Sequence, residues 1–192
     1  PQISEFMISI TRLLNDDGLL FIQIPDIRKS IYYALMGDQS FIFTEISLNN
    51  VLYKFGYRAE IVKNDYFPRE LLVTAQRDES VNLSNYKADN VFEDSIETIN
   101  RIKEKLENIN DQNLAVLGTT VNAAFVDEII GGQIEFFVDE NLSKEGKTFR
   151  EKVVLHPKKL NISNHTILPY GESGIKIKER FENLYSGTFS VV

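Results

Sequence analysis

Small polar residues and an acid stand in one stretch of the chain at a spacing that suits ligand binding. Gly118, Thr119 and Thr120 follow one apolar run, and Asp139 follows a second, 21 positions after the glycine (139 minus 118). Backbone N–H groups and hydroxyls at a strand-to-helix turn can hold an anion. An acid about 20 residues further on is where dinucleotide-binding folds place a ribose-binding carboxylate. The spacing indicates nucleotide chemistry, but one glycine stands where the dinucleotide fingerprint has three.

The flanking pattern predicts the elements that would position these residues. Residues 114–117 form an apolar run that predicts a strand, and residues 134–138 predict another. Between them, a helix ends at Gly131-Gly132, and its predicted apolar face consists of Val121, Ala124, Phe125, Ile129 and Ile130. Strand, loop, helix and strand together have about the 30 residues of a parallel mononucleotide-binding half.

The rest of the C-terminal part continues the alternation of strands and helices. Short strands are predicted at 153–155, 166–169 and 188–192, and a helix at about 175–185. This order favours a parallel, doubly wound sheet. Ligands bind such sheets beyond the carboxyl ends of the strands. The residues predicted there are Gly118, Thr119, Thr120, Asp139, Tyr170 and Gly171.

Composition limits the classes of protein. The chain has 192 residues, 43% of them hydrophobic and 26% charged, which is typical of a globular protein of one or two domains. A net charge of −7 argues against nucleic-acid binding, which needs a basic face. We expect no membrane span, and the lack of cysteine fits the cytoplasm. His156 and His165 lack metal-ligand spacing, so no metal is expected.

The N-terminal part has its own order of elements. A helix is predicted at 3–15 and a buried parallel strand at 19–24, which ends at Pro25. A helix at about 27–36, an aromatic segment at 41–43 and a helix from 45 to Gly56 come next. Two strands, at 57–62 and 70–75, complete this part.

This order resembles the last third of a class I S-adenosylmethionine-dependent methyltransferase. The matching segments are LLNDDGLLFIQIP (13–25), DQSFIFT (38–44) and SLNNVLYKFGYRAEIV (47–62). The resemblance implies S-adenosylmethionine as the cofactor. In that family the glycine-rich cofactor loop lies on strands upstream of those found here, so this chain alone is expected to be inactive.

The segment DQSFIFT resembles the family's substrate-side motif of an acid and histidine, an aromatic residue, and a hydroxyl residue. By this resemblance Asp38 and Gln39 take the catalytic positions, and Phe43 and Thr44 take substrate-binding positions. Gln39 stands where many relatives have histidine, and glutamine cannot act as a general base near neutral pH. The alternative is that the aromatic residues only pack in the core.

A polar stretch and a helix connect the two parts. Residues 77–90 predict a linker, and residues 91–109 predict an amphipathic helix that acts as an interdomain strut or, less favoured by its spacing, a dimerising coiled coil. The connector and the second α/β part together resemble the C-terminal domain of bacterial sugar C-methyltransferases. The motif there is FFVDENLSKEGK (136–147), in which Asp139, Lys144, Gly146 and Lys147 match. The resemblance therefore implies that Lys144 and Lys147 bind substrate, although they can also be a solvated charged loop.

The sequence thus predicts an α/β protein with a partial methyltransferase-type sheet (1–76), a linker and connecting helix (77–111) and a small Rossmann-like parallel-sheet domain (112–192). The predicted function is methyl transfer to a sugar or nucleotide-sugar, with a homodimer left open. The alternatives are a non-catalytic nucleotide or nucleotide-sugar binding module, and an interaction scaffold whose cleft is filled by side chains.

Overall fold

The computed structural model describes residues 2–37, 39–63, 66–67, 69–81 and 87–192, except the side chain of Glu172. The chain divides into two compact units, Pro1–Glu97 and Thr98–Val192, hereafter the N-terminal unit and the C-terminal unit. In the described ranges, no helix has the length and hydropathy needed to cross a membrane.

In the described residues of the N-terminal unit, two α-helices and three strands precede the connecting helix. In chain order they are α1 (Ile3–Leu13), β1 (Leu19–Pro25), α2 (Glu45–Lys54), β2 (Tyr57–Ile61) and β3 (Glu70–Arg77). The prediction of a helix at about 27–36 is wrong. Two short 3₁₀ segments, Ile27–Lys29 and Ile31–Leu35, occupy this stretch. They are separate because Ser30 between them is extended, with φ −155°.

The sheet of the N-terminal unit is antiparallel, with the order β1-β3-β2. The prediction of a buried parallel strand at 19–24 is therefore wrong. An apolar run indicates burial on both faces, but Leu19 and Phe21 of β1 are 57% and 54% exposed. The residues alternating with them pack against a core on the other face only, to which α1 contributes Met7 and α2 contributes Leu52.

The helix α2 is bounded as its sequence predicts. Thr44 caps its first turn by accepting a hydrogen bond from the Ser47 N–H at 3.0 Å, and the Ser47 hydroxyl accepts in turn from the Thr44 N–H. Gly56 follows the helix with φ +76°, the left-handed conformation that glycine adopts without a steric penalty. The turn at Gly56 leads the chain from α2 directly into β2.

The helix predicted at 91–109 is present as α3 (Val91–Glu107), and the division between the units falls inside it. The C-terminal unit continues with β4 (Leu114–Leu117), α4 (Val121–Ile130), β5 (Ile134–Val138), β6 (Thr148–Phe149), β7 (Lys152–Leu155), β8 (His165–Leu168), α5 (Glu172–Leu184) and β9 (Thr188–Val191). Most of the predicted strands and helices of this unit are confirmed within two or three residues of their ends.

The sheet of the C-terminal unit has six strands in the order β6-β7-β5-β4-β8-β9. All neighbours are parallel except the β6–β7 hairpin. Its five parallel strands lie in the spatial order third-second-first-fourth-fifth, which matches that of the Rossmann-like doubly wound folds. The direction of winding reverses between β4 and β8, so right-handed crossovers place α4 and α5 on opposite faces.

Both faces of this sheet carry apolar side chains. Ala115, Leu117 and Leu168 pack with Phe181 of α5, which is fully buried and meets Phe189 edge-on at 5.5 Å between ring centroids. The prediction of the apolar face of α4 is largely wrong, because the buried residues of this helix are Ala123, Val126 and Ile130. Apolar residues lie almost all round this short helix, so periodicity alone does not select the buried side.

The β6–β7 hairpin was not predicted from the sequence. Its turn residues Arg150 and Glu151 have φ +47° and +66°, and both positions lack the Asn-Gly signal of such turns. Arg150 and Lys152 bind Asp127 of α4 at 2.5 and 2.7 Å. Burial raises the pKa of Asp127, but these hydrogen bonds outweigh it and hold the pKa below its ordinary value.

We predict that Glu151→Gly stabilises the protein. Glycine removes the left-handed strain at φ +66°, and we expect a gain of about 0.5–1 kcal/mol in the free energy of unfolding after its greater chain entropy is deducted. Urea unfolding measures the change. Glu135→Gly, in the extended strand β5, is the matched control and should destabilise. An equal loss in both variants would contradict the assignment of strain to the turn.

Candidate functional site

The carboxyl edge of the C-terminal unit's sheet brings most of the predicted ligand residues together. Gly118 follows β4 with φ +99°, and its N–H donates to the Val138 carbonyl at 2.7 Å. A Cβ atom at Gly118 would lie 2.6 Å from the Tyr170 hydroxyl oxygen. The positive φ favours glycine here, and a Cβ atom would force the Tyr170 hydroxyl, which lies across the turn after β4, to shift.

Thr119, Asp139 and Lys144 form a hydrogen-bonded cluster at this edge. The Thr119 hydroxyl donates to Asp139 Oδ2 at 2.8 Å, and Lys144 Nζ donates to the same oxygen at 2.9 Å and to Thr119 Oγ1 at 2.7 Å. The N–H of Asn141 donates to Asp139 Oδ1 at 2.9 Å. Both carboxylate oxygens of Asp139 therefore already accept hydrogen bonds from the protein.

The electrostatics of this cluster depend on partial burial. The side chain of Asp139 is 14% exposed and that of Lys144 is 37% exposed. Burial raises the pKa of Asp139, but the hydrogen bonds from Lys144, Asn141 N–H and Thr119 outweigh it, so the pKa lies below its ordinary value. The cluster therefore holds an ionised acid against a cation that water still reaches.

The other predicted residues at this edge are more peripheral. Thr120 is the N-cap residue of α4 and makes no side-chain capping hydrogen bond, and Gly171 precedes α5 with φ +52°. Lys147 is exposed, and within the described part of the chain only its backbone is hydrogen-bonded, to Lys144 and Val154. The structure thus separates Lys147 from the Asp139 cluster.

Asn122 is a residue of this edge that was not predicted from the sequence. Its side-chain amide donates to the Pro169 carbonyl at 2.8 Å, which ties the first turn of α4 to the segment after β8. With Tyr170 it bridges the place where the winding of the sheet reverses. Its polar side chain in the first turn of a predicted helix was the only sequence signal.

The N-terminal unit has a second candidate site beside the carboxyl end of β1. Phe41 and Phe43 stack with 6.1 Å between ring centroids and 26° between ring planes. They help to line a mostly apolar depression together with Ile3, Phe6, Ile24, Pro25, Gln39 and Ser40. Gln39 and Phe43 therefore share one surface, while Asp38 lies outside the described residues.

Thr44 has a structural role that its predicted role in substrate binding does not include. It caps α2, and its hydroxyl also donates to Asp89 Oδ2. Gln39, Phe41, Thr44 and Asp89 line a second, adjoining depression. Because the hydroxyl of Thr44 is already engaged with Ser47 and Asp89, Gln39 is the better placed of these predicted residues for contact with a ligand.

No metal centre is found in the described ranges, which contain no group of three or more His, Asp or Glu side chains suited to hold an ion. His156 instead caps a 3₁₀ segment, where its Nδ1 accepts from the Lys158 N–H at 3.2 Å. His165 binds an acid and a serine at the other end of the sheet's fourth parallel strand, β8.

The chain matches no protein-family model, and no curated protein aligns with it significantly. The class that the structure itself defines is an α/β protein with a mostly parallel six-stranded sheet and a small antiparallel sheet.

We predict that Lys144→Met destabilises the protein by about 1 kcal/mol at pH 7, and by progressively less as the pH falls below about 3.9. The folded-state pKa of Asp139 is lowered, so its contribution is present above the unfolded pKa of about 3.9 and is lost as pH falls through the folded value. Removing Lys144 therefore matters only while the acid is ionised.

Thermal unfolding of both proteins between pH 3 and pH 7 measures this difference. Lys147→Met, in the same loop but outside the cluster, is the control and should change little at either pH. A difference between Lys144→Met and the unsubstituted protein that does not vary with pH would contradict the role of Asp139.

Proposed function

We propose that this chain is part of an S-adenosylmethionine-dependent methyltransferase that acts on a sugar, in free or nucleotide-linked form. The observation that supports this most is the strand arrangement of the N-terminal unit. There β3 lies between β1 and β2 and runs antiparallel to both. The chain order is the one on which the resemblance to class I methyltransferases rests: DQSFIFT follows β1, and two closing strands follow α2.

The residues of the N-terminal unit fit a substrate better than they fit the cofactor. The depression beside β1 is mostly apolar, and Asp89 of the adjoining depression is bound to Thr44. The described residues of these two depressions therefore offer neither a glycine-rich loop nor a free carboxylate for a ribose. In this proposal Gln39 donates a hydrogen bond to the sugar or accepts one from it, and the stacked Phe41 and Phe43 shield that contact from water.

Such a site would act by positioning. Methyl transfer needs the acceptor atom held in line with the methyl group, and correct orientation alone accounts for a large part of the rate. Glutamine cannot remove a proton near neutral pH, so Gln39 orients the sugar.

The test uses the natural polypeptide that contains this chain, isolated from its source cells. We expect it to transfer tritiated methyl groups from S-adenosylmethionine to nucleotide-sugars of the same cells. Gln39→Ala should lower the rate at least about tenfold, the range of a lost positioning contact. Gln76→Ala, an exposed glutamine of β3, is the control and should leave the rate unchanged. A natural polypeptide that neither cross-links to S-adenosylmethionine nor transfers methyl groups would overturn the proposal.

A second candidate function rests on the C-terminal unit. Its parallel strand order matches dinucleotide-binding sheets, and Asp139 ends the second parallel strand, where such folds carry a ribose-binding acid. Lys144 Nζ donates to Asp139 and Thr119, and its third N–H can donate to a phosphate. The alternative, an interaction scaffold, is favoured by the side chains of Tyr170 and Asn122 across the same edge.

Thermal unfolding with uridine diphosphate separates these two roles. A nucleotide concentration tenfold above the dissociation constant stabilises the folded state by about 1.4 kcal/mol. This corresponds to a rise of about 5 °C in the unfolding midpoint for a protein of this size. Asp139→Asn should remove the shift, and Glu135→Gln, at the other end of β5, should keep it. If uridine, adenosine and guanosine diphosphates produce no shift, the scaffold role replaces nucleotide binding.

A further inference from the structure

Asp111, His165 and Ser190 of the C-terminal unit form a continuous hydrogen-bonded chain. His165 Nδ1 lies 2.5 Å from Asp111 Oδ2, and His165 Nε2 lies 2.8 Å from Ser190 Oγ. His165 begins β8, Ser190 lies in β9, and Asp111 precedes β4. The three residues are far apart in sequence, and the parallel pairing of β8 with β9 brings the histidine and the serine to the same face of the sheet.

The proton positions in this chain depend on the nature of the acid. An ionised carboxylate only accepts hydrogen bonds, so Nδ1 of His165 carries the proton that it donates to Asp111. In the neutral imidazole Nε2 is then an acceptor, and the Ser190 hydroxyl donates to it. This is the order of acid, base and nucleophile that activates a serine in hydrolases of unrelated folds.

Two further features make this arrangement suited to chemistry. The side chains of His165 and Asp111 are 22% and 57% exposed, so a small substrate can reach them. The Thr188 N–H donates to the Asn164 carbonyl at 2.8 Å, and the Val192 N–H donates to the Leu168 carbonyl at 3.3 Å. Successive N–H groups of a strand point to opposite sides, so the N–H of Val191 points away from β8, to the open edge of the sheet. The N–H after a nucleophilic serine is a common donor to the oxyanion.

We propose that Ser190 and His165 are catalytic residues of a second site that hydrolyses small, activated acyl esters, with Asp111 as the positioning residue. Ser190 Oγ bonds to the acyl carbon while its proton passes to His165 Nε2. The bond to the leaving alkoxide then breaks, and that oxygen takes the proton from Nε2. Water attacks the acyl-serine, gives one proton through Nε2 to Ser190 Oγ and releases the acid. The sum is ester plus water to acid plus alcohol.

The experiment treats the full chain with an alkyl fluorophosphonate and maps the modified residue by mass spectrometry, with p-nitrophenyl acetate hydrolysis as the second readout. We expect modification of Ser190 and none in Ser190→Ala. His165→Gln should slow both reactions about 100-fold or more, the range of a lost general base. Asp111→Asn should slow them as well, and Asp111→Glu should restore part of the rate, which a purely structural role would not produce.

The control is Ser186→Ala, which removes an exposed serine shortly before β9 and should react like the unsubstituted chain. Circular dichroism establishes that each variant is folded. Absence of any modification in the unsubstituted chain overturns the proposal without recourse to a variant. Modification of Ser190 at the same rate in folded His165→Gln, or modification of another residue only, overturns it equally.

Discussion

The parallel pairing of β4 on both of its sides is the constraint on which the C-terminal unit depends. All four residues of Leu114–Leu117 are buried, so their backbone groups must be bonded to neighbouring strands. With β5 on one side and β8 on the other, the chain has to reverse its winding at β4. The turns after these three strands then meet at one edge, which brings Gly118, Asp139 and Tyr170 together.

Sequence patterns predicted this unit well because its strands and helices are bounded by local signals. Apolar runs end at Gly118 and Asp139, and each side of the parallel sheet is covered, so the runs and the burial agree. The same rule failed for β1, whose apolar run suggested burial on both faces, although Leu19 and Phe21 are largely exposed. A run of apolar residues shows which side chains of a strand are able to be buried. The helices and strands that pack against it determine which of them are buried. The turn at Arg150-Glu151 was missed because salt bridges to Asp127, rather than turn residues, stabilise it.

The sequence predicts where the candidate site lies, but it does not predict which of the site's side chains are hydrogen-bonded to one another. The position of Asp139 follows from strand order, since parallel strands end at one edge. Its hydrogen bonds to Thr119 and Lys144 depend on side-chain geometry across 20 and 5 residues of sequence, which no local pattern encodes. Thr44 is a second example. The resemblance predicts that its hydroxyl binds substrate, but in the structure this hydroxyl caps α2 and binds Asp89. Residue type gives the chemistry that is available, and the partners decide whether it is already in use.

This distinction separates the two polar clusters of the C-terminal sheet. In the Asp139 cluster both carboxylate oxygens accept bonds from the protein, and Lys144 holds one of them by a charge-assisted bond, so the groups that would meet a ligand are already bonded to one another. In the Asp111–His165–Ser190 chain the bond from His165 Nδ1 to Asp111 leaves Nε2 to accept the proton of Ser190, and neither bond has to be displaced before the serine oxygen can react. Edge strand β9 presents that serine beside the backbone N–H groups of the open sheet edge, an environment that the centre of the sheet does not provide. The two proposed roles therefore differ in kind: ligand binding at the first cluster, and nucleophilic chemistry at the second.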